Sequence, residues 1–147
     1  MLELITLFGI SMIGTIVWVI NAEVSAAVYT SQLNHNVITV GIVCAFGQGV
    51  TYSLLYWFGE KLARQWKGLQ NQLDKIQNRF GDHLLSTFTF LCFLGGVIGL
   101  PPAIGMATLA AGLGVSYRAS IPFIIAGRFI RFTVIGLAAE MLLPYLI

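Results

Sequence analysis

The sequence predicts an all-α integral membrane protein built as an inverted repeat. Each half is a re-entrant helical hairpin followed by a transmembrane helix, and an amphipathic interfacial helix joins the halves. Three observations carry this prediction. The 147 residues are 57% hydrophobic and only 10% charged, with a mean hydropathy of +0.84, which is membrane-protein composition. The apolar runs come in two lengths, one sufficient to cross a bilayer and one covering about half of it. Finally, Gly99-Leu100-Pro101-Pro102 breaks the apolar run from Thr87 to Val115, where a lipid-embedded helix needs an unbroken hydrogen-bond ladder. A break at that depth persists only inside protein or beside a wet cavity. Gly99, Pro101 and Pro102 are therefore candidate site residues, against the plainer reading of a spanning helix with a proline kink.

One membrane domain covers residues 1–147, and its elements follow in order. Residues 4–20 read as an apolar helical arm. Met1-Leu2-Glu3 supplies no basic leader and no small-residue cleavage site follows, so this arm reads as structure and not as a signal peptide. Asn21-Ala22-Glu23 forms a polar tip, and Val24 to Leu33 is too short to cross alone, so residues 1–36 read as the first re-entrant hairpin. Residues 37–60 are long enough to span. Gly41, Ala45, Gly49 and Ser53 give this span a face of small residues for close helix approach, Gln48 lies near its middle, and Tyr52, Tyr56 and Trp57 sit where interfacial aromatics are found. Residues 61–82 place Leu62, Trp66, Leu69, Leu73, Ile76 and Phe80 on one helical stripe. The other faces carry Lys61, Arg64, Lys67, Lys75 and Arg79, five of the eight basic residues. Such a helix suits the headgroup layer, or a coiled-coil seam with a partner, and its charge argues for the cytoplasmic side of a plasma membrane. Residues 84–118 form the second hairpin, in which Gly95, Gly96, Gly99 and Gly105 are expected to admit close backbone approach. Residues 119–147 form the last span and tail.

The halves match in plan, each a long arm, broken tip, short arm, polar turn and span. Counting crossings brings the hairpins in from opposite faces with their tips near the midplane, the plan of transporters with a central site. Glu23, Arg128 and Arg131 are hard to place outside the membrane. Each costs about 2.5–3.5 kcal/mol near the bilayer centre, so they need partners. Glu23 is expected to pair with Arg128 or Arg131, with an anionic headgroup competing for the guanidinium; a static pair holding the repeats together is the alternative. Asn21 and Gln48 read as hydrogen-bonding groups for freed backbone near the tips. His35 and His83 read as solvated turn residues, Glu140 as interfacial, and Cys44 and Cys92 as small hydrophobes in apolar runs. No nucleophile with its base, phosphate loop or metal-ligand set is legible. An enzyme is therefore not expected, and no cofactor is implied.

The chain resembles the DedA/VTT (SNARE-associated Golgi protein) superfamily, in its small YqaA-like branch. The resemblance rests on Asn21-Ala22-Glu23, the glycine-rich span from Gly41 to Gly59, Arg79-Phe80-Gly81, the Pro101-Pro102 hairpin with Ala110-Ala111-Gly112, and the closing stretch from Gly127 to Phe132. It covers nearly the whole chain. It implies two facing re-entrant hairpins and lipid translocation: scrambling of phospholipids, or return of polyprenyl-phosphate carriers coupled to an ion gradient. By the same resemblance Glu23 corresponds to the acid of the first hairpin. The basic residues that flank the proline of the second hairpin in the better-known branch are absent around Cys92 to Gly96, and no proline precedes Glu23. Arg128 and Arg131 would replace the missing charge from another helix.

The expected function is transport or scrambling of an anionic lipid past the hairpin tips in a bacterial plasma membrane. A small-solute or proton-coupled organic-ion or drug transporter is the second reading, and a non-transporting membrane scaffold the third. Membrane lipids are the expected partners, with self-association into a homo-oligomer left open, and nothing points to nucleic acid.

Overall fold

A computed structural model describes residues 2–17, 21–65, 71, 74, 75, 78, 79, 81, 83–99 and 103–142. Among them the chain is all-α, with six delimited helices and no strand. They are α1 (Leu2–Gly14), α2 (Ala22–Ser31), α3 (Val37–Gln65), α4 (His83–Ile98), α5 (Ala103–Gly112) and α6 (Tyr117–Leu142). Two stretches, Val37–Lys61 in α3 and Tyr117–Leu142 in α6, are long and apolar enough to cross a membrane.

Several boundaries differ from the sequence reading. The first arm does not run to residue 20 as one helix. It ends at Gly14, where Ile16 N and Val17 N both turn back to Ile13 O at 2.9 Å and Thr15 Oγ1 takes Ser11 O at 3.0 Å. The β-branched run that follows has little helix preference of its own. The apolar span ends at Lys61, beside the boundary expected at residue 60, but the helix itself goes on through Gln65. Glu60 to Gln65 are strong helix formers with no breaker among them, so α3 continues through. His83 opens α4 and is not a turn residue. Of the amphipathic stripe, Trp66, Leu69, Leu73, Ile76 and Phe80 lie outside the described residues. Residues 71, 74, 75, 78 and 79 are helical and exposed, and Gly81 has a φ of +48°.

The chain divides into two compact units, one of residues 1–51 and 128–147 and the other of residues 52–127. The first unit contains the hairpin α1–α2, the start of α3 and the end of α6. Its core joins Leu7, Ala22, Ala26, Val40, Cys44 and Phe132. At Gly47 the backbone of α1 passes so close that an added Cβ would sit 2.7 Å from Phe8 O, 3.1 Å from Ser11 Cβ and 3.5 Å from Met12 N. At Gly136 an added Cβ would meet Val37 and Thr30.

The second unit contains the hairpin α4–α5, the end of α3 and the start of α6. Its core joins Tyr52, Phe88, Cys92, Ala103, Met106, Ala107, Ala110, Leu113, Val115, Ile121 and Ile124. Tyr52 is therefore a core residue of this unit and not an interfacial one. Tyr56 Oη donates to Val115 O at 3.0 Å, and the exposed Trp57 remains available to an interface. Gly127 faces Phe93 O, Gly96 Cα and Val97 N at 2.5, 2.8 and 2.9 Å from a would-be Cβ, and Gly59 faces the Thr108 backbone. Gly105 has open space around it, so it does not serve the close approach expected of it.

Taken separately, the units share one plan. Each pairs a hairpin with the first part of the helix that follows it and the last part of the other long helix. The second arms, α2 and α5, are 10 residues each. Gly47 and Gly127 stand at the same distance from the start of their helices and meet first-arm residues at the same spacing, Phe8, Ser11 and Met12 in one unit and Phe93, Gly96 and Val97 in the other. The turns are similar, the first being one residue longer. Asn34 and Gly114 carry φ values of +55° and +70°, and the next residues, His35 and Val115, donate to Tyr29 O and Ala110 O at 3.2 and 2.9 Å.

Candidate functional site: an acid and two arginines in the first unit

The site starts from a helix cap. Asn21 is in extended conformation, with φ −81° and ψ 104°, and its Oδ1 accepts from Glu23 N at 2.9 Å. It therefore satisfies one of the amides that α2 leaves free at its start. Glu23 follows in the first turn, where the helix dipole favours a carboxylate. Its neighbour Ala22 is buried in the same apolar cluster as Phe132. Because Glu23 adjoins Ala22 and Arg131 adjoins Phe132 in sequence, burying Ala22 and Phe132 in one cluster brings the carboxylate and the guanidinium together.

Arg131 Nε donates to Glu23 Oε1 at 2.7 Å, and Arg131 Nη2 lies 2.6 Å from the same oxygen. Arg128, one turn earlier on α6, places Nη1 at 4.0 Å from that oxygen. The three side chains are 33, 13 and 24% exposed for Glu23, Arg128 and Arg131, so Arg128 is the most deeply set. One carboxylate oxygen thus takes a two-pronged contact from one guanidinium while the second guanidinium stands at ion-pair range. Among these three side chains positive charge exceeds negative, at the start of α2. Such a cluster suits an anion with a tetrahedral oxygen face, because Arg presents donors in a fixed fork.

The remaining predicted site residues distribute as follows. Gln48 is buried on α3 within the same unit, directly after Gly47. Gly99 belongs to the second unit, where it ends α4 with a φ of +88° and donates to Gly95 O at 3.0 Å. Pro101 and Pro102 lie outside the described residues, as do Lys67 and the side chain of Arg64. Lys61, Lys75 and Arg79 are exposed. Cys44 and Cys92 are free and buried, and the described residues hold no cluster of three or more His, Cys, Asp or Glu able to take a metal.

Two contacts were missed by reading the sequence. Thr51 Oγ1 donates to Met12 O at 2.8 Å, occupying a carbonyl that the end of α1 leaves free. His35 Nε2 lies 2.7 Å from Glu3 Oε2. The signal for the second was present, since a hairpin returns to its origin and sets an acid at the start of one arm beside the turn after the other.

No family model, curated protein or solved structure matches this chain.

Proposed function

We propose that the protein is an integral membrane transporter or scramblase of lipids, acting on an anionic phospholipid or a polyprenyl-phosphate carrier, and that it is a DedA/VTT-type protein. The observation that carries this reading is the Glu23–Arg131 contact, with Arg128 beside it, at the break of an otherwise apolar hairpin. Three ionisable groups at such a place oppose membrane insertion by several kcal/mol, a cost that a purely structural contact does not require, since apolar packing would serve.

Other features support the same reading. At 10 residues, α2 and α5 reach about 15 Å, half a hydrocarbon layer, which suits re-entrant arms. Large apolar side chains stand exposed along both long helices, including Ile38, Phe46, Leu54, Phe58, Phe123, Ile130, Val134 and Leu137, as lipid contact demands. The basic residues from Lys61 to Arg79 support a reading in which that segment lies on the cytoplasmic side of a bacterial plasma membrane. A lipid phosphate reaching the break displaces Glu23 from the Arg131 fork, and the carboxylate, released or protonated, resets the site afterwards. Glu23 is the gate of this cycle and the two arginines are the headgroup ligands.

Purified protein in sealed vesicles tests this. Headgroup-labelled anionic lipid should equilibrate between leaflets without leakage of a trapped solute, and Glu23→Gln should slow it. Solute flux without lipid movement would replace lipid by a small organic ion as substrate, and neither movement would leave a scaffold.

A further inference from the structure

We infer that Ser11 and Gln48 are further ligands of the site at Glu23, neutral hydrogen-bonding groups that close its inner end behind Arg128 and take oxygens of a phosphate group. This rests on the reading of that site as an anion site and adds two residues to it. Their placement follows from helix register within the first unit. Val37 lies against Gly136, and Gly41 against Phe129 and Thr133, so α3 and α6 run antiparallel here. Gly47 meets Phe8, Ser11 and Met12, and Thr51, one turn on, donates to Met12 O, so α1 and α3 run parallel. Leu7, Cys44 and Phe132 belong to the apolar cluster of this unit. One turn from each, in the direction of the hairpin break, stand Ser11, Gln48 and Arg128, and Glu23 stands next to Ala22 of the same cluster. All four helices thus change from apolar to polar at one level. Gln48 is seven residues beyond Gly41 and shares its α6-facing side. Side chains lean toward the N-terminus of their own helix, so on antiparallel helices Gln48 and Arg128 lean toward each other.

Ser11 supplies the observation that points to a ligand. It is 0% exposed, and its Cβ faces α3 at Gly47. Its Oγ finds no hydrogen-bond partner of good geometry, with only the Cys44 thiol, a weak hydrogen-bonding group, beside it. A wholly buried hydroxyl left so is costly. The helix crossing does not ask for it, because the matching residue at Gly127 is Gly96, which has no side chain. Gln48, 5% exposed, brings an amide with two N–H donors to the same level. A phosphate group has more acceptor sites than two guanidinium forks fill, and a hydroxyl and an amide donate to the rest without altering the charge of the site. Leu7, Cys44 and Phe132 wall off the far side.

The intact protein in neutral detergent tests this with two probes, inorganic phosphate and a water-soluble short-chain phosphatidate, each titrated calorimetrically beside a thermal unfolding scan. Wild type should bind the phosphate group, and whichever probe binds names the source, free phosphate or lipid headgroup. Ser11→Ala should weaken binding about three- to tenfold. Its unfolding temperature without phosphate should stay equal or rise, since the hydroxyl has no partner in the fold. A serine kept only for packing would show the reverse, lower stability with affinity unchanged. Gln48→Glu keeps the shape of the side chain and adds a negative charge, and should weaken binding more than about tenfold. Wild-type affinity in either variant would overturn this inference and leave the acid–arginine site standing. Binding of neither probe by wild type would overturn both.

Discussion

At the scale of the residue, Arg131 and Arg128 are not equivalent. Arg131 engages one Glu23 oxygen through Nε and Nη2, whereas Arg128 stands at 4.0 Å. Arg131→Lys keeps the charge but replaces a planar fork by a point charge, so on the proposed lipid function exchange in vesicles should fall about tenfold while folding is retained. Arg128→Gln removes charge without breaking the two-pronged contact, and a smaller loss is expected. Equal losses for the two would show that charge alone matters. Exchanging Glu23 and Arg131 gives a complementary check, because a static strut should tolerate the swap and a gate should not. Both cysteines are buried, which leaves a low background for thiol labelling elsewhere in the chain.

At the scale of the element, the glycines divide by what surrounds them. Gly127 and Gly47 each lie against the backbone of a first arm, so neither neighbour can give way as a side-chain tip would. Gly127→Ala, the tighter of the two, should destabilise the protein by about 1–3 kcal/mol, read from denaturation in detergent. Gly105 sits within α5 with open space around it, so Gly105→Ala should leave stability unchanged or raise it by about 0.5–1 kcal/mol. Opposite signs from the same substitution would tie the effect to backbone proximity. The same contrast explains one misreading: a glycine in an apolar run marks close approach only if another backbone is there, and spacing along one helix does not reveal it.

At the scale of the whole molecule, the decisive measurement is topology. If the first hairpin is re-entrant, cysteines introduced at Leu2 and Asn34, near its two ends, should label with an impermeant reagent from the same face of the membrane. Labelling from opposite faces would make α1 and α2 together a crossing, and the site at Glu23 would lose its place at a hairpin break. The Cys44→Ala, Cys92→Ala background serves this experiment.

Much of this molecule was legible in the chain itself. Hydropathy and length marked the two helices long enough to span, because lipid and water sort side chains whatever their neighbours. The likeness of the two halves was visible as a repeated order of short and long helices. So were the three ionisable groups, since a charge inside an apolar run is costly in any arrangement. What required the tertiary structure were the facts that depend on contact. It chose Arg131 for the two-pronged contact with Glu23, with Ala22 and Phe132 buried in one cluster. It carried α3 past residue 60, because no breaker opposed the helix formers there. It also joined Glu3 to His35 across the hairpin. Composition and periodicity act locally and can be read one segment at a time, whereas partners far apart in sequence are settled only when apolar surfaces close over them.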